Sequence, residues 1–416
     1  MPKRRLLQFL LIALVILLPL STLQVSQTEA ESTEDFWVSK APMPTARDDF
    51  GVAVVNGRIF AIGGWGGSIA TEMYNPETDT WTTKAPMPTA RFSFGVAVVQ
   101  NKIYVIGGYN IGLNEVYDTE TDTWTTKASM PTPRGGICTN VVDGKIYVIG
   151  GAFSGANAGA DVFYDVNEVY DPATDTWTIK APAATPVAGY ASVVIDNKIY
   201  VIGGYNGSAN VDLNQIYDPE TDTWSNGAPI PKIVSGASAG ATTGVSAPKR
   251  IFVIGGVHFY YFDFFETADF TQIYDPESDV WSTGSPMPTP RAGLRVAVVD
   301  DILYAIGGSS VLGSGTVKYP ISGDPYSTNE QYTPEGYTPT PSPELTPTPE
   351  PQQTEQFPTI WVASSVIIAV AASAGFLVYF KKRQSSKSRT PALSQTPHVQ
   401  IIECLFFHHS KLSGEM

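Results

Sequence analysis

Four arginines recur at one spacing, each eleven residues ahead of a β-branched run: Arg47, Arg91, Arg134 and Arg291. Downstream of each lies a glutamate in a second short run, giving Glu72, Glu115, Glu168 and Glu330. Two further repeats carry Val187 and Val234 at the arginine place, and there the glutamate becomes Gln215 and Gln272. Arginine and glutamate are present together and absent together, as expected of partners in a bridge whose loss on one side would strand a buried charge. The pattern predicts four internal Arg–Glu pairs. The competing chemistry is capture of a carboxylate ligand by a ring of guanidinium groups at a channel mouth.

A second candidate is the run His258, Phe259, Tyr260, Tyr261, Phe262, Asp263, Phe264, Phe265. So many aromatic side chains between two strands suggest a docking patch, with His258, Tyr260, Tyr261 and Phe264 as candidate ligand contacts. The alternative is that they pack beneath neighbouring long loops. Acidic turns recur at Glu77/Asp79, Glu120/Asp122, Glu220/Asp222 and Glu277/Asp279. Two carboxylates per turn fall short of the six to eight oxygens calcium needs, so these read as solvated turns. Cys138 and Cys404 are far apart and match no metal-ligand spacing. No metal or cofactor site is expected. Asn206-Gly207-Ser208 fits an N-glycosylation acceptor.

The elements that must position these residues repeat. A glycine pair closes a β-branched run at Gly63-Gly64, Gly107-Gly108, Gly150-Gly151, Gly203-Gly204, Gly255-Gly256 and Gly307-Gly308, spaced 43 to 53 residues apart. A Tyr and then a Trp follow in most units, as in Tyr117 and Trp124. Each unit reads as four short strands; in the second these are Gly95–Val99, Lys102–Gly108, Asn114–Asp118 and Thr123–Lys127. The loops between the second and third strands are long in units three, five and six. They share one face with the arginine-bearing connections.

The glycine pair and Tyr of six units over Phe36 to Thr333, with Trp following in the first five, resemble the kelch motif. That resemblance implies an all-β fold, a six-bladed kelch β-propeller with four-stranded blades. A Trp-bearing strand, Phe36–Lys40, stands before the first unit, and the last unit lacks one, so the N-terminal strand is expected to close the last blade. Copper chemistry of the galactose-oxidase type needs two histidines, and the repeat region has only His258. A carbohydrate-modifying enzyme similar to the kelch mutarotases remains the rival to a binding module, and a structural envelope component is a third reading.

The flanks fix the expected setting. Lys3, Arg4 and Arg5 precede the apolar run Leu6 to Leu20, so residues 1–30 read as a signal peptide. Residues 31–333 hold the propeller and 334–358 a Pro/Thr-rich stalk in extended polyproline form. Residues 360–380 hold no charge and are long enough for a transmembrane helix; Lys381, Lys382 and Arg383 then place the tail, 381–416, in the cytoplasm. A net charge of −14 argues against nucleic acid as partner. The expected protein is a single-pass cell-membrane protein whose extracellular propeller binds a protein, peptide or glycan. Its layout is similar to surface kelch proteins of archaea.

Overall fold

The computed structural model describes residues 34–154, 161–259, 264–310, 312–314 and 324–339. These are strands, turns and loops; none of them is helical. The expected signal peptide, transmembrane segment and tail, and most of the stalk, lie outside them. Among the described residues no helix is long and apolar enough to cross a membrane.

Each of the six repeats lies in an antiparallel four-stranded sheet, with the strands of the first five in chain order. Unit one is Gly51–Val55, Arg58–Ile62, Thr71–Asn75 and Thr80–Lys84. Its first hairpin turns on Asn56 and Gly57 (φ 49° and 69°), two left-handed residues that match the twist of the flanking strands. The sixth sheet is assembled from both ends of the array. Arg295–Val299, Ile302–Ile306 and Asn329–Thr333 supply three strands, and Phe36–Ser39 adds the fourth, with Trp37 opposite Tyr332.

The first strands adjoin one another in order, and Arg295–Val299 of unit six lies against Gly51–Val55 of unit one. Above them six backbone hydrogen bonds of 2.7–3.0 Å close a loop: Asp49 donates to Gly293, Gly293 to Gly236, Gly236 to Gly189, Gly189 to Gly136, Gly136 to Ser93, and Ser93 to Asp49. All six residues are left-handed, with φ between 48° and 66°, which explains glycine at four of the places. The core lies between neighbouring sheets. Ala53, Phe60 and Ile62 of unit one, for example, meet Phe94, Ile103, Val105 and Tyr117 of unit two.

The acidic turns are not simply solvated, which corrects the expectation from sequence. Asp79, Asp122, Asp175, Asp222 and Asp279 each accept the Tyr hydroxyl of their own unit at 2.5–2.7 Å. Each also accepts the backbone N–H of an alanine in the preceding unit, from Ala41 to Ala228, at 2.6–2.8 Å. The indole N–H of Trp81, Trp124, Trp177, Trp224 and Trp281 donates to the carbonyl of that same alanine. In unit six the N-terminal segment completes the clamp: Asp35 accepts from Tyr332 and Ser285, and Trp37 donates to Ser285. The Tyr hydroxyl holds the five turn carboxyls below the ordinary carboxylate range.

Candidate functional site

Because strands alternate in direction, second-to-third loops and fourth-to-first connections lie on one face, here the loop face. First-to-second and third-to-fourth turns lie on the other, the turn face. The arginines enter from the loop face. Arg47 meets Glu72 at 2.5 Å, Arg91 meets Glu115 at 3.0 Å, Arg291 meets Glu330 at 2.5 Å, and Arg134 pairs with Glu168. None of these eight residues is more than 4% exposed. The second carboxylate oxygen accepts a threonine hydroxyl, from Thr45, Thr89, Thr132 and Thr289, at 2.7–2.8 Å. Arg47 and Arg134 spend further donors on backbone carbonyls, including Ala70 and Gly150. Burial pulls Arg47, Arg91 and Arg291 below the ordinary arginine value, and the glutamates oppose it. This geometry turns each guanidinium onto its own glutamate, buried away from the surface.

In the two valine units an amide does both jobs. Gln215 accepts the N–H of Thr185 (2.9 Å) and donates to its carbonyl (3.2 Å); Gln272 does the same with Lys232. Val187 and Val234 fill the vacated space, 0% and 2% exposed. A neutral amide with one donor group and one acceptor satisfies the loop without a counter-charge.

The aromatic run is built into secondary structure. Val257–Phe259 and Phe264–Thr267 form a hairpin, flanked by Val234–Ser235 on one side and by Leu312–Ser314 of the unit-six loop on the other. His258 donates from Nδ1 to the Ile233 carbonyl at 2.8 Å, and its ring meets Phe270 edge-on at 5.4 Å. It is thus engaged by its own loops. Phe264 opens the second strand of the hairpin, while Tyr260 and Tyr261 lie outside the described residues.

Sequence reasoning missed a different aromatic row on the same face. Trp65 meets Phe92 at 4.4 Å in a T-shaped contact, and Phe92 stacks on Tyr109 at 5.2 Å. Trp65 is 41% exposed. Trp65 and Tyr109, like Tyr205, directly follow a glycine pair, and that position was the available signal. The row borders the axial loop of backbone bonds, since Trp65 N–H donates to Asp48 and Phe92 adjoins Ser93. At that point Asp48, 1% exposed, accepts from Ser309 through one oxygen while its Oδ1 has no partner. Burial raises the Asp48 carboxyl above its ordinary value. Cys138 precedes the strand Thr139–Val142, and burial likewise raises its thiol. Among the described residues no group of three His, Cys, Asp or Glu is placed to hold a metal.

Residues 114–308 match the KLHDC2/KLHL20/DRC7 Kelch-repeats domain, and residues 46–88 and 90–131 match the Kelch motif. Human Kelch repeat and BTB domain-containing protein 12 is 30% identical over 161 residues, 33% of this chain and 24% of the relative. Mouse Kelch-like protein 35 is 31% identical over 150 residues, 36% of this chain and 24% of the relative. The chain thus spans about a quarter of the length of these curated relatives. Among solved structures, the one titled "Structure of YjhT" superposes with a TM-score of 0.58 at 20% identity, covering 66% of this chain and 93% of that one; it bears on the fold alone. The glycine pairs, the Tyr–Trp order, the sheet topology and these matches agree: the chain belongs to the kelch-repeat family and folds as a β-propeller.

Proposed function

We propose that this chain is a cell-surface binding module: a six-bladed kelch propeller, carried on the stalk 334–358 and anchored by the helix 360–380, with its loop face presented to a ligand. The six sheets are its blades, and residues 1–30 direct it out of the cell. The observation that carries the reading is the row Trp65–Phe92–Tyr109, exposed at Trp65 and half-buried at the other two rings, on the face that also bears the long loops. Exposed aromatics clustered beside a rigid scaffold supply binding area at low entropic cost. Each paired arginine and glutamate is spent on the fold, so the reading is binding and not catalysis.

The test is a peptide, protein and glycan array probed with soluble residues 31–339 and with the Trp65→Ala/Tyr109→Ala variant. The expected result is a class of hits that the variant loses. Hits retained by the variant, or a parent that binds nothing, would remove this site as the binding surface.

A further inference from the structure

The loop face is chemically divided. Units one and two present the aromatic row; units three to six present acids. Asp165, Asp212 and Asp269 occupy one repeat position, two residues before the third strand of units three, four and five. Their backbone carbonyls make the same staple in each unit, accepting the N–H of Ala183, Ile230 and Met287 at 2.7–2.9 Å. The same carbonyl in units one and two belongs to Ile69 and Gly112. The staple fixes the backbone, so the three carboxylates stand at blade spacing around an arc. Among the described residues none of the three forms an ion pair, nor does Asp324 in the loop of unit six. The one exposed cation on the connections between these units is Lys232, and it lies over the Phe270 ring at 5.9 Å. At the axis between the two sectors sits the buried Asp48, with Oδ1 unbonded but with the charge of Arg295 near enough to favour its carboxylate.

Carboxylates without an ion-pair partner among the described residues, on the same face as the exposed Trp65, favour one kind of partner. Cations are drawn to the carboxylates at long range and to the ring faces at contact. An acidic partner would meet repulsion from these carboxylates, with Lys232 the one exposed lysine among the described residues of the connections beside them.

We infer that the loop face docks a basic protein segment, with lysine or arginine side chains on the arc Asp165–Asp212–Asp269 and an arginine or aliphatic side chain against Trp65 and Tyr109. This rests on the binding-module reading and narrows it to one ligand class.

The experiment uses the full chain in lipid nanodiscs and a fluorescent peptide of alternating Arg and Leu, with Glu–Leu and Gln–Leu peptides as controls. Affinity is read by anisotropy at low and high salt. Two variants carry the same change in charge: Asp165→Asn/Asp212→Asn/Asp269→Asn on the loop face, and Glu120→Gln/Glu220→Gln/Glu277→Gln on exposed turns of the opposite face. The basic peptide is expected to bind, more weakly as salt rises, and to lose about tenfold with the loop-face triple, the sum of three surface pairs. Trp65→Ala is expected to weaken it as well, and the turn-face triple to change it less than about twofold. Equal losses from the two triples would reduce the effect to net charge and overturn the inference. If the Gln–Leu or Glu–Leu peptide binds as tightly and still needs Trp65, the binding face stands and its basic selectivity falls. If no peptide depends on Trp65, both readings fail together.

Discussion

The two faces of this propeller use the same residue types for opposite ends. On the turn face most carboxylates are engaged: five Asp accept a tyrosine hydroxyl and a neighbouring backbone N–H, while Asp118, Asp218 and Asp275 meet Lys102, Lys198 and Arg250, and Glu77 meets Arg58. On the loop face Asp165, Asp212, Asp269 and Asp324 have no such ion pairs among the described residues, and Trp65 lies open where the repeat Trp residues are packed on tyrosines at about 5 Å. The difference teaches that residue type does not report role in a repeat protein. What reports role is whether the repeat supplies a partner at the same position in the next unit.

If that contrast is sound, damage to the clamps should unfold the protein and damage to the open row should not. The largest effect is expected from deleting residues 31–41, which removes Trp37, Asp35 and the closing strand at once. The cost is at least several kcal/mol, read as a collapse of the melting temperature or failure to fold. An unchanged melting temperature would show that the sixth sheet does not need its fourth strand.

Next comes Arg91→Ala, which leaves Glu115 buried and uncompensated, at about 3–5 kcal/mol by denaturant titration. Arg91 already keeps Nε and Nη1 without partners. Rebuilding the valine units here, as Arg91→Val with Glu115→Gln, should therefore recover most of the loss. Additive costs would refute the idea that the amide arrangement transfers between units.

A smaller loss, about 1–2 kcal/mol, is expected of Tyr117→Phe, which removes one donor from Asp122. The clamp carboxyls also set an acid limit. Their folded-state values lie below the ordinary aspartate value of 3.8, so the stability they contribute is present above that value and is lost as pH falls through the lower, folded values. Melting temperature followed from pH 6 downward should fall steeply only at the acid end, and less steeply in Asp122→Asn. The smallest effect is expected of Trp65→Ala, within about 0.5 kcal/mol, the range of surface changes away from packed features. A loss comparable with Tyr117→Phe would mean that the row is core after all.

Much of the scaffold was legible because its signals are obligatory. A doubled glycine marks a left-handed close approach, and a β-branched run before it marks a strand buried on both sides. Paired loss of Arg and Glu gave the internal bridges because a buried charge tolerates no single change. The clamp aspartates were illegible, since Asp in a turn is explained equally well by local capping, and their second partner lies about forty residues away. The open row was missed for the opposite reason. It is carried by the position after the glycine pair, where the repeat imposes nothing: Trp65, Tyr109, Ala152, Tyr205, Val257 and Ser309 all occur there. The aromatic run from His258 drew attention by density, although the described part of it is strand.

The closing strand also sets a timetable. Tyr332 and Asp35 are 297 positions apart, so the first part of the array to be synthesised waits for nearly the last before its hydrogen bonds form. Sheets one to five can be made as the chain emerges, each from local hairpins, but the ring stays open until residues 329–333 arrive. Its slowest step is thus an encounter between distant segments, and the rate of that step is set by loop closure and by whatever holds the waiting N-terminal strand free of other edges.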